Sequence, residues 1–344
     1  MKTLIVLAIV YFIAVRAGKP PKHPPSELKD GYTRNGSISI EEFYVDDTNM
    51  GLETHFVFTT KNIEHYLKAT MKIYAKIEVE YDHPMEEDEF NHQFMRQPQK
   101  NWIFYALKRY QSSISNSNVV VFGSTEPYIE TALLGLGATH VTTVEYNNLT
   151  YIHPQITTIS KYNFTSLYQC NSIYENSFDI ALSISSFDHD GLGRYGDPLN
   201  PDGDLHAMMK TMNLVKPGGI LFLTIPIGTD LVVFNLLRRY GKIRLPLLLK
   251  NWEIIEKLFW DEKKLDVYEK NYRRSYEPVL VLRKPLETSD NIQLCDEFED
   301  SSSNINTIST SDSSSGTNND DNIINLNNEH VVSKTNKNSI IAEL

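Results

Sequence analysis

At Asn118 the texture of the chain changes. Val119-Val120-Val121-Phe122 is an unbroken apolar run closed by Gly123, which suits a strand buried on both faces of a parallel sheet. Similar units come after it. The spacing predicts a helix over Tyr128–Leu136, strands over His140–Glu145, Ile156–Ser160 and Phe178–Ser183, a helix over Leu205–Val215, a strand over Ile220–Ile225 and a last strand at Pro278–Leu282. Strands alternating with helices imply right-handed crossovers. The expected fold class is therefore α/β, a Rossmann-like, doubly wound, mostly parallel sheet.

Such a sheet binds ligands beyond the C-terminal ends of its strands, so the loops there are where chemistry is expected. The first is Phe122-Gly123-Ser124-Thr125-Glu126-Pro127. Gly123 permits a tight turn, and Ser124 or Thr125 can cap the next helix while backbone N–H groups face a ligand; the same residues also serve a plain strand-to-helix turn. The second is Glu145, at the end of Val141-Thr142-Thr143-Val144-Glu145, where a carboxylate can accept two hydrogen bonds from a ribose diol. The alternative is a solvated strand-end glutamate.

The third loop, Ser185 to Asp204 (SSFDHDGLGRYGDPLNPDGD), is the most unusual stretch of the chain. A long irregular loop within a compact domain is usually functional. His189, flanked by carboxylates, can act as a general base, oriented by Asp188 or Asp190. Contact with a cofactor or substrate without catalysis, and hydrogen bonding internal to the loop, remain open beside that role. An EF-hand reading of Asn200-Pro201-Asp202-Gly203-Asp204 fails, because the register puts Pro198 and Met209 where carboxylates are needed. A looser metal site from Asp188, His189 and Asp190 is the remaining metal alternative; none is expected. The fourth segment, Lys216-Pro217-Gly218-Gly219, ends a helix and leads into a strand.

Around this domain (112–285) the chain reads as an address, a spacer, an accessory layer and a tail. An apolar run from Leu4 to Val15 comes after Lys2, and Val15-Arg16-Ala17 suits signal peptidase, so residues 1–17 read as a signal peptide or an uncleaved signal anchor. Residues 18–26 form a proline-rich spacer, and 27–111 an accessory layer with an acidic patch at Glu86–Glu89 and an amphipathic stretch around Trp102–Tyr110. The secretory pathway is the expected location, with a membrane involved only if the signal stays uncleaved. Sequons at Asn35, Asn148 and Asn163 agree with it. Cys170 and Cys295 allow a single disulfide, so stability must come from a core, and 41% hydrophobic residues supply one. Of the net charge of −11, nine units lie in the Ser- and Asn-rich tail 286–344. That tail is too polar to fold from Thr288 onward, and the remaining chain lacks the basic excess that nucleic acid requires.

Phe122–Glu126 (FGSTE), Thr143–Asn147 (TVEYN), the Ser185–Asp204 loop, Val215–Asp230 and Arg239–Pro246 (RYGKIRLP) together resemble the nematode-rich domain-of-unknown-function family 268, itself similar to class I S-adenosylmethionine-dependent methyltransferases. The resemblance covers about Tyr110 to Arg283. It implies a site for S-adenosylmethionine with Gly123, Ser124, Thr125 and Glu126 on the methionine and sugar side, Glu145 on the ribose, and Ser186, Phe187, Asp188, His189 and Asp190 beside the transferable methyl group. The implied activity is methyl transfer to a hydroxyl of a glycan or small molecule, with His189 assisting. Val121 stands where the methyltransferase pattern has an acidic residue, and the second glycine of the loop is missing. Those departures keep a second reading open, a Rossmann-fold binding protein that has lost cofactor use; a nucleotide-sugar transferase is a third.

Overall fold

A computed structural model describes residues 19–48, 55–77, 98–160, 174–272 and 274–286. The leader, the acidic patch at Glu86–Glu89, the Asn163 sequon, Cys170, Cys295 and the tail from Thr288 lie outside the described residues. Contacts divide the chain into the units Met1–Asn291 and Ile292–Leu344, and every described residue belongs to the first.

Three strands and four helices precede or open the main sheet: α1 (Ser26–Thr33), β1 (Ser39–Glu42), β2 (His55–Phe58), α2 (Thr60–Tyr74), α3 (Pro98–Arg109), α4 (Gln111–Ile114) and β3 (Asn118–Phe122). Then come α5 (Tyr128–Gly135), β4 (His140–Glu145), β5 (Asn148–Tyr151), β6 (Ile156–Ser160), β7 (Phe178–Ile184), α6 (Gly203–Leu214), β8 (Val215–Thr224), β9 (Leu231–Phe234), β10 (Leu237–Arg239), α7 (Arg244–Leu248), β11 (Glu253–Leu258) and β12 (Val279–Arg283). The main sheet has the order β11-β12-β8-β7-β3-β4-β6. Its first five strands in sequence, β3, β4, β6, β7 and β8, run parallel, while β12 is antiparallel to both β8 and β11.

The chain winds outward from β3 through β4 to β6, then returns to β7 on the other side of β3. That reversal is the switch point at which an open α/β sheet leaves a crevice. One face of the sheet buries Val119, Val121, Ile180, Leu182, Phe222, Val279 and Val281 against α3, α5 and the end of α2. The other buries Val120, Ala181, Leu221, Leu223 and Leu280 against Met208 and Met212 of α6 and Leu245 and Leu248 of α7. Strands covered on both faces explain the continuous apolar runs, and the expected doubly wound α/β class is what the chain forms.

The stretch expected to be amphipathic, Trp102–Tyr110, is buried nearly all round: Trp102, Ile103, Phe104, Tyr105, Ala106 and Leu107 are each at most 5% exposed. Trp102 stacks on Phe259 with 5.0 Å between ring centroids. Burying side chains of this size contributes about 1.5–3 kcal/mol each, so α3 is part of the main core. The Lys216-Pro217-Gly218-Gly219 segment lies inside β8, and the helix before it ends at Leu214. Val215 pairs with Phe178 and Ile220 with Ile180, so the four residues loop out of register. A side chain at Gly219 would meet the Asp179 carbonyl at 2.7 Å, which requires glycine there.

Two smaller sheets were not expected from the pattern. β1 pairs parallel with β9, which turns back into β10, and β2 pairs parallel with β5. The first is joined to the segment after β1 by Asn235, whose side chain accepts from Val45 N at 2.9 Å and donates to Val45 O at 2.8 Å. It brings residues 43–47 over the end of β7. Asn35 and Asn148 are exposed.

Candidate functional site

The turns after β3 and β7 meet at the switch point. Gly123 is exposed, with φ +73°, and donates its N–H to Val144 O at 3.0 Å. A side chain on it would collide with Ser186, whose Oγ and Cβ fill the place a Cβ would take. Ser185 is also left-handed (φ +47°), a conformation that costs a non-glycine residue energy and is concentrated at functional sites. Thr224 fixes it there, accepting Ser185 N–H at its carbonyl (3.0 Å) and its Oγ1 (3.1 Å).

The other residues of the first loop diverge. Ser124 turns inward and donates to Glu130 Oε2 at 3.1 Å, while Thr125 is exposed and Glu126 half-buried. Glu130, on α5, is fully buried and also accepts from Thr143 Oγ1 at 2.7 Å. Burial pushes its carboxyl up to about 7, against these hydrogen bonds. It was missed in the sequence, although it is the sole charged residue between Tyr128 and Gly137. A lone carboxylate in an apolar helix was the available signal.

Glu145 ends β4 at 6% exposure. Its Oε1 accepts from Tyr146 N (2.9 Å), Asn147 N (3.1 Å) and Asn147 Nδ2 (2.7 Å), so its own turn pins the carboxylate at the strand end. Tyr146 stacks on Tyr195 of the long loop at 6.3 Å, and Tyr195 packs edge-on against His189 at 5.9 Å. These rings join the β4 end to the β7 end.

Within the loop, Phe187 is buried at 1% exposure and packs against Phe122 at 5.3 Å, beneath the crevice floor. Asp188 is wholly buried, and neither carboxylate oxygen has a hydrogen-bond partner. Burial pushes it up to about 7. His189 Nδ1 lies 2.6 Å from the Leu236 carbonyl, which can only accept, so Nδ1 carries the proton. Nε2 is then unprotonated and lies 3.5 Å from Asp188 Oδ2. The group orienting the imidazole is thus a carbonyl of the β9–β10 turn, in place of the carboxylate that was expected. Burial and the nearby Arg194 bring the imidazole down to about 4. Asp190 offers its carbonyl to Arg238 Nη1 at 2.6 Å.

The rest of the loop is scaffold. Asp197 accepts from the backbone of Gly191 (2.7 Å), Gly193 (3.1 Å) and Tyr195 (3.2 Å). Arg238, fully buried, also reaches the carbonyls of Asn200 and Pro201. Asp204 binds Arg244 through both oxygens and Tyr240 Oη through one. Among the described residues, no group of three or more His, Cys, Asp or Glu is arranged to hold a metal.

A cavity of about 480 Å³ opens beside this site. Ser185 lines it together with residues of the 43–47 segment, the β9–β10 turn and the stretch before β12, including Glu277. Nothing in the sequence marked Glu277, which sits in a polar run.

Residues 116–284 match the model of a family described as Caenorhabditis protein of unknown function, DUF268. No curated protein matches the chain. Among solved structures it is similar to the cyclase SpnF, at 13% identity and a TM-score of 0.39 over 69% of this chain and 99% of that one. It is also similar to a Burkholderia thailandensis 1,6-didemethyltoxoflavin-N1-methyltransferase with bound S-adenosylhomocysteine, at 14% identity and 0.36 over 58% and 87%. A third is an S-adenosylmethionine-dependent methyltransferase from Mesorhizobium loti, at 11% identity and 0.35 over 52% and 98%. Scores of this size add nothing to the strand order, on which the fold assignment rests. The stretch that matches the DUF268 model, residues 116–284, spans the doubly wound, mostly parallel sheet from β3 to β12.

Proposed function

We propose that the crevice at the switch point binds S-adenosylmethionine and that the domain is a methyltransferase of small molecules. The observation that carries this reading is the contact between the left-handed Gly123 and Ser186. Ser186 Oγ and Cβ fill the space beside Gly123, so the two turns abut at the sheet reversal, where an open α/β sheet binds its ligands. The residues fit the cofactor. Glu145 is pinned at the strand end where a ribose diol would be recognised, Ser124 and Glu126 shape the first turn, and Phe187 closes the floor. Bound there, the cofactor supplies a methyl group on a sulfonium.

The chain's own residues orient and shield. Tyr146 and Tyr195 cover the crevice between β4 and the long loop, and His189 presents an unprotonated Nε2 beside Asp188. An imidazole held near 4 is a weak base at neutral pH, which favours the binding-protein reading as the alternative. Calorimetric titration of the full chain with S-adenosylmethionine separates the two. One equivalent is expected to bind, and Glu145→Ala to weaken it by about 1–3 kcal/mol, the scale for unpairing bonds to a charged group. Absence of binding in folded protein overturns the proposal. The leader read in residues 1–17 supports a secretory-pathway location for this chemistry, with a membrane anchor as the alternative if it stays uncleaved. No described helix is long and apolar enough to cross a membrane, and N-terminal sequencing of protein exported from cells tests whether the leader is cleaved.

A further inference from the structure

The cavity beside the crevice has a composition of its own. Phe43, Val45, Leu236, Leu237 and Tyr272 form one part of its wall, with Phe43 and Tyr272 packed edge to face at 5.6 Å. Ser185, Ser275 and Glu277 supply polar groups to the same lining. Among the described lining residues the one cation is Arg194, and it is taken by Asp47 at 2.7 Å. Asp188 lies close enough to Glu277 to repel its charge. It is fully buried, with both carboxylate oxygens lacking a hydrogen bond. With Arg194 taken up by Asp47, Glu277 is the carboxyl of the described lining that is left without a cation, and Asp188 lies behind the wall.

We infer that the cavity is a binding site for a compact primary amine with an apolar body, its ammonium held by Glu277 and its body lying against Phe43, Leu236 and Tyr272. Three features select this class. The volume of about 480 Å³ lies in the range of small-molecule sites. An ammonium offsets the excess of carboxyls, whereas an acid adds to it. The Tyr272 and Phe43 rings suit a cation, which aromatic faces attract. Ser185 lines this cavity while Ser186 touches Gly123, so one peptide separates the amine site from the crevice. The amine is then the acceptor in the reading proposed above, on which this role depends, and Glu277 is the group that can take its proton.

The groups facing Glu277 set the pH behaviour. Burial and Asp188 push its carboxyl up to about 7, Asp188 itself rises to about 7, Tyr272 stays neutral at about 12, and His189 is neutral above about 4. Amine binding therefore requires pH near or above 7.

Titration of the full chain with benzylamine, benzyl alcohol and benzoate tests the site. Benzylamine is expected to bind at pH 8 at least tenfold more tightly than benzyl alcohol, with benzoate not binding, and to weaken at least tenfold at pH 5.5. Glu277→Gln, checked for folding by circular dichroism, is expected to weaken benzylamine tenfold or more. Equal binding of benzoate, no binding of benzylamine, or the same affinity at both pH values overturns the inference; the pH series needs no variant. S-adenosylmethionine is titrated in parallel. If it fails to bind while benzylamine binds, the methyltransferase reading falls and the amine site stands; the converse result removes the amine site alone.

Discussion

Asp188 and Asp204 stand at opposite ends of one loop, both fully buried, and they are opposites in every other respect. Asp204 is surrounded by donors: Arg244, Arg238 and Tyr240 outweigh its burial and hold its carboxyl below the ordinary range. Asp188 has none, and burial leaves it raised to about 7. The first end is finished structure. The second combines an unsatisfied carboxyl, a left-handed Ser185 and a cavity lined by Glu277, which is where native proteins place groups that await a ligand. The difference teaches which part of a conspicuous motif works on the fold and which faces chemistry.

The comparison is broken most directly by removing each carboxylate. Asp204→Ala strands Arg238 and Arg244 without their partner, and breaking a buried pair of this kind costs about 3–5 kcal/mol. Urea unfolding should show that loss; a change under about 1 kcal/mol would mean the loop is held by other contacts. Asp188→Asn removes no hydrogen bond and relieves a buried charge, so at pH 8.5 it should be neutral or stabilising.

A smaller effect comes from the carboxyls themselves. Asp188, Glu130 and Glu277 have folded-state values near 7, above those of an unfolded chain. Their contribution is complete below about pH 4 and is lost as pH rises through 7. His189, held near 4, works in the other direction, losing stability as pH falls below about 6.5. Between pH 6.5 and 8.5 the carboxyls dominate, and stability should fall by about 2 kcal/mol. The urea midpoint at the two pH values measures it, and Asp188→Asn should remove about a third of the fall. A midpoint that rises with pH would contradict the assignment.

Much of this fold was legible because burial on both faces leaves an unmistakable mark. Val119–Phe122 is an apolar run and Val141–Val144 a run of β-branched residues, and they form strands where expected. What was not legible depends on partners far along the chain. Ser39–Glu42 carries two glutamates and becomes a strand because β9 lies beside it, and β10 is only three residues long. The same holds at the site. Gly123 and Glu145 announce themselves by position at strand ends. Glu277, between Tyr276 and Pro278, reads as a solvated carboxylate until Ser185 and the β9–β10 turn close around it. The loop from Ser185 to Asp204 was visible as unusual, but its division into scaffold and site rests on Arg238 and Arg244, which approach from outside it.

The central claim is that a nucleoside cofactor lies in the crevice between the β3, β4 and β7 ends, and amide mapping tests it residue by residue. Adding S-adenosylhomocysteine to isotope-labelled full chain should shift the amides of Gly123, Ser124, Tyr146, Asn147 and Ser186 most strongly, leaving those of Asp197 and Asp204 nearly unmoved. Spectra unchanged at saturating ligand, or shifts that spare Gly123 and Ser186, would contradict the account.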